Sequence, residues 1–385
     1  MKVVYISSAP FFDMDLSLLK ELFKGTDLHF FLDLPPYSRK STALDFKTTI
    51  DVAGIYPAKY FEELNKFSDY IDLDRMSVIY RSSKKVYSAS NLLLQYKFAK
   101  LIREFKPDVI HCNNFLNFNF LYFLYSNRNR KVLTVHDPVP HSGEASKKDN
   151  AIRKFNYRHI SNIILLNNSQ TDLFIGNSGK KPSNIFFSRL GSYTYLRKFG
   201  SQKKKAINPN QILFFGRISP YKGIEELCKA FRVVIDEFPE SKLVIAGSGD
   251  FDFNVSEFKK FSNYTFLNRY IPNDELVTLI QESKFVVCPY KDATQSGVIM
   301  TSFALDTPVV ATNVGGLKEM IVHNQTGLLI EPNSISALAD SIIWMFKNPE
   351  VNIEMGNNIK RFNLNGSLSW ESIVKDLVSI YSKLN

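Results

Sequence analysis

Cysteine is scarce in this chain of 385 residues: there are three, Cys112, Cys228 and Cys288, and no CxxC pair. So sparse and odd a set excludes a disulfide framework and a thiolate metal cage of the usual spacing. Cys112 and Cys288 end the apolar runs DVIHC and FVVC, so buried free thiols in a reducing compartment are expected. Long apolar stretches are also missing. No window approaches the roughly 18 apolar residues that cross a bilayer, and the most apolar aromatic run, Phe115 to Tyr125, is interrupted by Asn117 and Asn119. The amino terminus, MKVVYISSAP, has no apolar signal core and reads as a first strand. Glycine (17) and proline (16) are too few for a collagen-like or low-complexity chain, and 44% hydrophobic with 22% charged residues excludes disorder. The expectation is a soluble cytosolic protein, long enough for two domains.

Acidic residues are short in one half only. Residues 1–200 hold 29 Lys and Arg against 18 Asp and Glu, a net of +11, whereas 201–385 hold 19 against 20, a net of −1. A basic half beside a neutral one suits an anionic surface, either phospholipid or nucleic acid. The cations are scattered, with no recognition-helix or RNP-like pattern, so nucleic acid is set aside. Two readings of the excess charge then stand: an anionic membrane, met peripherally at the inner face of the plasma membrane, or solubility alone.

Strands and helices alternate throughout. KVVYIS, LHFFLDL, DVIHC, KVLTVHD, NIILLNN and NIFFSRLG read as strands in the first half; between them lie helical segments such as Ser90–Phe105, with Leu92, Leu93, Tyr96, Ala99 and Ile102 at helical spacing. In the second half QILFFGR, KLVIAGS, YTFLNRYI, FVVCPY, PVVATNV and TGLLIEP alternate with helices near 223–238, 273–284, 297–305 and 336–347. Near-continuous apolar strands between helices mean parallel sheets covered on both faces. The reading is α/β, two Rossmann-like doubly wound domains: 1–196, then 197–366, with the seam in the basic stretch around Arg197–Pro209 that carries Lys203, Lys204 and Lys205. A last helix within 367–385, with Ile373, Leu377, Ile380 and Tyr381 on one side, should pack back on the first domain. The dinucleotide fingerprint G-x-G-x-x-G is absent after the first strand, where SSAPFFDMDL contains no glycine, so hydride transfer is set aside.

The strongest chemical signal is FFGRISPYKGIEELCKAF, Phe214–Phe231. It sets two cations, Arg217 and Lys222, and a helix amino terminus at the carboxyl end of a parallel strand, where open α/β sheets bind anions. Arg217 can fork onto phosphate oxygens and Lys222 can add a point charge. Gly247, in AGSG, lets a ligand approach backbone. In DATQSGVIMTSFALDTPVVATNVGGLKE a loop of small polar residues, Thr294 to Ser296, leads into a helix whose first amides, Gly297 and Val298, suit a second phosphate. No His, Cys or Asp cluster has metal-ligand spacing, so neither a metal site nor a cofactor is expected.

These segments resemble the donor domain of the retaining glycosyltransferases of family 4, most specifically along TPVVAT, NVGGLKE and TGLLI; KPDVIHCNN and VLTVHDPVP look like the family's landmarks in the acceptor domain. The resemblance implies a GT-B fold, two such domains facing across a cleft, and a nucleotide-diphosphate sugar as donor substrate. It implies that Arg217 and Lys222 neutralise the donor diphosphate, assisted by the amides after Ser296. It puts Arg269, Tyr270 and Ile271 beside the nucleobase, and His136 near the donor sugar, with a local pairing to Asp137 as the structural alternative. His141, Ser142, Gly143 and Glu144 follow in a loop that could shape the acceptor site. Two family glutamates are replaced by Ala293 and Thr301; Asp292, one residue earlier, could stand in for the first, and Glu319 keeps a third recurring carboxylate. The implied reaction is transfer of a sugar to a glycan or lipid-linked acceptor, set in bacterial surface polysaccharide synthesis. A sugar-nucleotide binder without turnover and a nucleotide-sugar epimerase of the same fold are the alternatives.

Overall fold

The computed structural model describes residues 1–41, 43–117, 120–126, 130–138, 146–200 and 208–384. His141, Ser142, Gly143, Glu144 and the lysines 203–205 lie outside them. The chain divides into two units, Met1–Arg189 with Trp370–Asn385, and Leu190–Ser369.

The first unit holds β1 (Lys2–Ser8), β2 (Asp27–Leu34), β3 (Gly54–Pro57), β4 (Met76–Tyr80), β5 (Val109–Cys112), β6 (Arg130–Val135), β7 (Asn162–Leu165) and β8 (Ile185–Phe187). They form one sheet in the order β3-β4-β2-β1-β5-β6-β7-β8, parallel except for β3 against β4. The sequence analysis missed β3 and β4. Their segments, GIYP and MSVIY, are short, and β3 is a half-buried edge strand without an apolar run. The second unit holds β9 (Gln211–Phe215), β10 (Lys242–Gly247), β11 (Tyr264–Asn268), β12 (Phe285–Cys288), β13 (Val309–Thr312) and β14 (Gly327–Ile330). Their order is β11-β10-β9-β12-β13-β14, all parallel. Central strands such as β12 and β13 bury every residue, which is why they are written in Val, Phe, Ala and Cys with a single Thr, Thr312. All three cysteines are free and buried.

In both sheets the chain winds outward one way and then returns to wind the other way. The strand order therefore reverses between β1 and β5, and again between β9 and β12. A crevice opens at the carboxyl ends of two strands that meet in this way, because their following helices leave on opposite faces.

Helix Ala89–Phe105 forms where expected, but it turns a different face inward. Leu94, Phe98, Ala99 and Ile102 are buried, while Leu92, Leu93 and Tyr96 are 48%, 54% and 50% exposed. The ring of Phe98 sets the buried direction by packing edge-on against Phe31 and in a tilted contact with Phe123. Helix Trp370–Lys383 buries Ile373, Leu377, Ile380 and Tyr381 and packs against helix Phe12–Gly25 of the first unit. Its Tyr381 hydroxyl hydrogen-bonds His111 Nδ1 at 2.6 Å, and the other ring nitrogen meets Thr134 Oγ1 at 2.7 Å. Burial pushes His111 down to about 3, so the ring is neutral and structural.

Candidate active site

In the second unit, β9 ends at Phe215 and the chain turns through Gly216 to Arg217. Gly216 N–H donates to Ala246 O of β10 and Ile218 N–H to Ser248 O, so the Arg217 loop is laced to the AGSG turn. Glycine is required at two positions here. A Cβ on Gly247, at φ +153°, would stand 1.8 Å from Gly216 O. One on Gly223, at φ +67°, would stand 1.9 Å from Pro289 O. Gly223 thus lets the loop that carries Lys222 lie directly on the end of β12. Helix Ile224–Glu237 starts there, with seven wholly or nearly buried apolar residues holding it to the sheet.

Lys222 is 8% exposed. Its Nζ stands 3.6 Å from the centre of the buried Tyr290 ring and 4.9 Å from that of Tyr221. Burial pushes its ammonium down to about 8, and the nearby Arg217 charge acts in the same direction. Among the described residues no carboxylate pairs with it. Arg217 is exposed, and its Nη2 donates to the Tyr221 hydroxyl at 3.3 Å. From the neighbouring strand, β12, comes the loop to helix Gly297–Ala304. Ser296 caps that helix, accepting from Ile299 N–H through Oγ at 3.3 Å, while its own hydroxyl donates to Tyr290 Oη at 3.4 Å. Val298 touches the backbone at Gly216: a Cβ there would stand 3.1 Å from its methyl group. The Arg217 turn, the Lys222–Tyr290 contact and the start of helix Gly297–Ala304 thus meet at one crevice, the β9/β12 reversal.

The other residues that the resemblance assigns to the donor are placed as follows. Arg269 N–H donates to Gly247 O, binding its strand end to the AGSG turn. Its guanidinium turns away to grip both Glu275 oxygens at 2.5 and 2.8 Å. Tyr270 is 45% exposed and Ile271 is buried. Gly316 N–H donates to Ala293 O, which docks the GGLKE turn on the Asp292–Ser296 loop and brings exposed Glu319 to the same side. Asp292 is half-buried, and Thr301 is buried in the second turn of its helix.

In the first unit, His136 follows β6. Its Nε2 lies 3.0 Å from Asn113 O, and a carbonyl only accepts, so Nε2 carries the hydrogen. The ring lies against Phe11 at 4.5 Å, and burial holds its basicity below the usual histidine value. Asn113 in turn donates from Nδ2 to Asp15 Oδ1 at 2.8 Å. Asp15 is wholly buried, and burial pushes its carboxyl up to about 8. The sequence analysis missed it. The signal was there, since Asp15 sits on the apolar stripe of Phe12, Leu19 and Leu22, where an acid is out of place.

Residues 197–362 match the family of glycosyl transferases group 1, and residues 50–168 match the glycosyl transferase 4-like family. Both halves of the chain thus resemble family 4-like glycosyltransferases. An uncharacterized glycosyltransferase of Haemophilus influenzae is 28% identical over 46% of the chain and 50% of its own length. A capsular polysaccharide biosynthesis glycosyltransferase of Staphylococcus aureus is 26% identical over 48% and 49%. The chain spans about half the length of these curated relatives. Among solved structures, Anabaena HepE in complex with UDP-glucose is similar over 99% of the chain and 100% of its own, with a TM-score of 0.67 and 14% identity. Such a likeness shows the fold, and that fold is GT-B. Among the described residues no His, Cys, Asp and Glu cluster could hold a metal, and no helix is long and apolar enough to cross a membrane.

Proposed function

We propose that the chain moves a sugar from a nucleotide-diphosphate donor to a hydroxyl of a glycan or lipid-linked acceptor, with retention at the anomeric carbon. One observation carries this reading. Lys222 is a buried cation with no carboxylate partner among the described residues, set beside a helix amino terminus and a second cation. Such a charge is costly until an anion joins it, and a diphosphate supplies one. Arg217 and Lys222 then carry the charge that develops as the anomeric carbon–oxygen bond breaks. The departing phosphate oxygen takes the acceptor's proton while the acceptor oxygen bonds the anomeric carbon on the same face. Retention rests on the family likeness. His136, as an Nε2–H tautomer fixed by Asn113, presents Nδ1 as an acceptor for a sugar hydroxyl.

The complexes of HepE with UDP and UDP-glucose support a nucleotide sugar as donor. The capsular relative supports surface polysaccharide assembly, and the basic first half supports a peripheral place at the inner face of an anionic membrane. The test is a panel of nucleotide sugars, UDP-glucose first, scored for thermal stabilisation and then for product, with the anomeric configuration read by NMR. Stabilisation followed by a retained product is expected. An inverted product would refute retention, and binding without transfer across a broad acceptor panel would make the chain a sugar-nucleotide binder.

A further inference from the structure

Helix Ala89–Phe105 leaves an unusual face in solvent. Opposite its buried side it exposes Leu92, Leu93 and Tyr96 along its first two turns, then Lys97, Lys100 and Arg103 along the next two. Tyr96 lies 6.0 Å, ring to ring, from Tyr122 on helix Leu121–Ser126, which is itself 42% exposed, and Tyr125 one turn further on is 64% exposed. Two leucines and three tyrosines thus form one exposed apolar patch on two packed helices. Patches of this kind mark interaction sites on soluble folds. The exposed charge around it is mostly of one sign: residues 84–106 hold six exposed Lys and Arg against a single acid, Glu104, which lies 3.8 Å from Lys100.

We infer that this face is the docking surface for an anionic lipid bilayer. Leucine side chains enter the boundary of the acyl region, tyrosine rings settle at headgroup level, and lysine and arginine stems reach sideways to the lipid phosphates. The charge decides between a bilayer and a second copy of the chain. A two-fold interface would set this cationic face against itself, and like charges in contact are repelled. The place of the patch fits as well. The helix follows β4, so its first turns, where the leucines stand, lie at the carboxyl end of the sheet, the end that carries Asn113 and His136. A bilayer docked there presents a lipid-linked acceptor to that edge. The docking deepens the peripheral membrane place proposed above, and this last step rests also on the proposed sugar transfer, which the docking does not need.

The experiment is co-sedimentation of the full chain with phosphatidylcholine vesicles, with and without phosphatidylglycerol, at low and high salt. Leu93→Ser with Tyr96→Ser and Lys97→Gln with Lys100→Gln are the variants, and all four side chains are exposed, so their thermal melts should match the wild type. The wild type should bind only the anionic vesicles and release them as salt rises. Each double variant should lose roughly tenfold or more in partitioning, with nucleotide-sugar binding unchanged. Variants that bind vesicles like the wild type, or a wild type that ignores them, would overturn the docking. A vesicle-independent dimer abolished by Leu93→Ser with Tyr96→Ser would overturn it in favour of a second copy. A wild type that binds vesicles but no nucleotide sugar would leave the docking standing and sink the proposed function.

Discussion

The two units solve one topological problem in opposite ways. Each reverses its strand order at the middle of a parallel sheet, and each gathers polar groups at that reversal. In the second unit the gathered group is a cation, Lys222, buried at the β9/β12 reversal and left for an anion to complete. In the first it is an acid, Asp15, buried near the β1/β5 reversal, held neutral by burial and bound through Oδ1 by Asn113, while its Oδ2 has no hydrogen-bond partner among the described residues. The first arrangement should therefore act through stability and the second through a ligand.

The largest test of that contrast is Arg217→Ala. Removing a preorganised charge stabiliser should lower turnover about a hundredfold or more, measured with the matched donor and acceptor, with little change in the melting temperature. A fall in melting temperature without loss of turnover would break the contrast.

Asp15→Asn should do the reverse. In the fold the carboxyl titrates at about 8 against an ordinary value of 3.8, so the native state keeps a proton that the unfolded chain releases. Stability from this group is full below about 4 and declines as pH rises to about 8. An amide imitates the neutral acid, so the variant should gain on the wild type across that window. The gain should be on the order of 4 kcal/mol at pH 7 and should vanish in acid, in denaturant titrations at several pH values. His111, held at about 3, has the opposite sign and loses its contribution as pH falls below the ordinary histidine value, but it cancels between the two proteins. An unchanged stability difference from acid to neutral would mean that Asp15 is ionised in the fold.

Next comes the pH dependence of donor binding. Lys222 loses its proton as pH rises through about 8, and a bound diphosphate favours the charged form. Affinity should be level below that pH and fall above it by up to about tenfold per pH unit, in calorimetric titrations with a nucleotide sugar. Lys222→Met should abolish the slope. The smallest effect belongs to Thr301→Ala, because a neutral hydroxyl gives about one modest hydrogen bond; a loss in donor affinity of about fivefold at most is expected. A much larger loss there would show that Thr301 has inherited more of the missing glutamate's role.

The contrast also explains what could be read in advance. Arg217, Lys222, Gly247 and Gly297 lie in contiguous strand–turn–helix segments, and such segments carry their own geometry: an apolar strand, a glycine turn, a capped helix. The crevice at β9/β12 follows once two of them are side by side. Asp15, Asn113 and His136 come from three separate elements, and no local pattern announces that they touch. Arg269 was legible as a strand-end residue, but its grip on Glu275 was not.

The sequence by itself determined the α/β alternation, the strands of the second unit, the parallel pairing and the turn that carries Arg217 and Lys222, because each depends on residues within a few positions of one another. The tertiary structure alone decided which side of helix Ala89–Phe105 faces water. Helical spacing groups Leu92, Leu93 and Tyr96 with Ala99 and Ile102 as readily as it groups Leu94 and Phe98 with them. Only the rings of Phe31 and Phe123, brought up by β2 and by helix Leu121–Ser126, select the second set and leave the first in solvent.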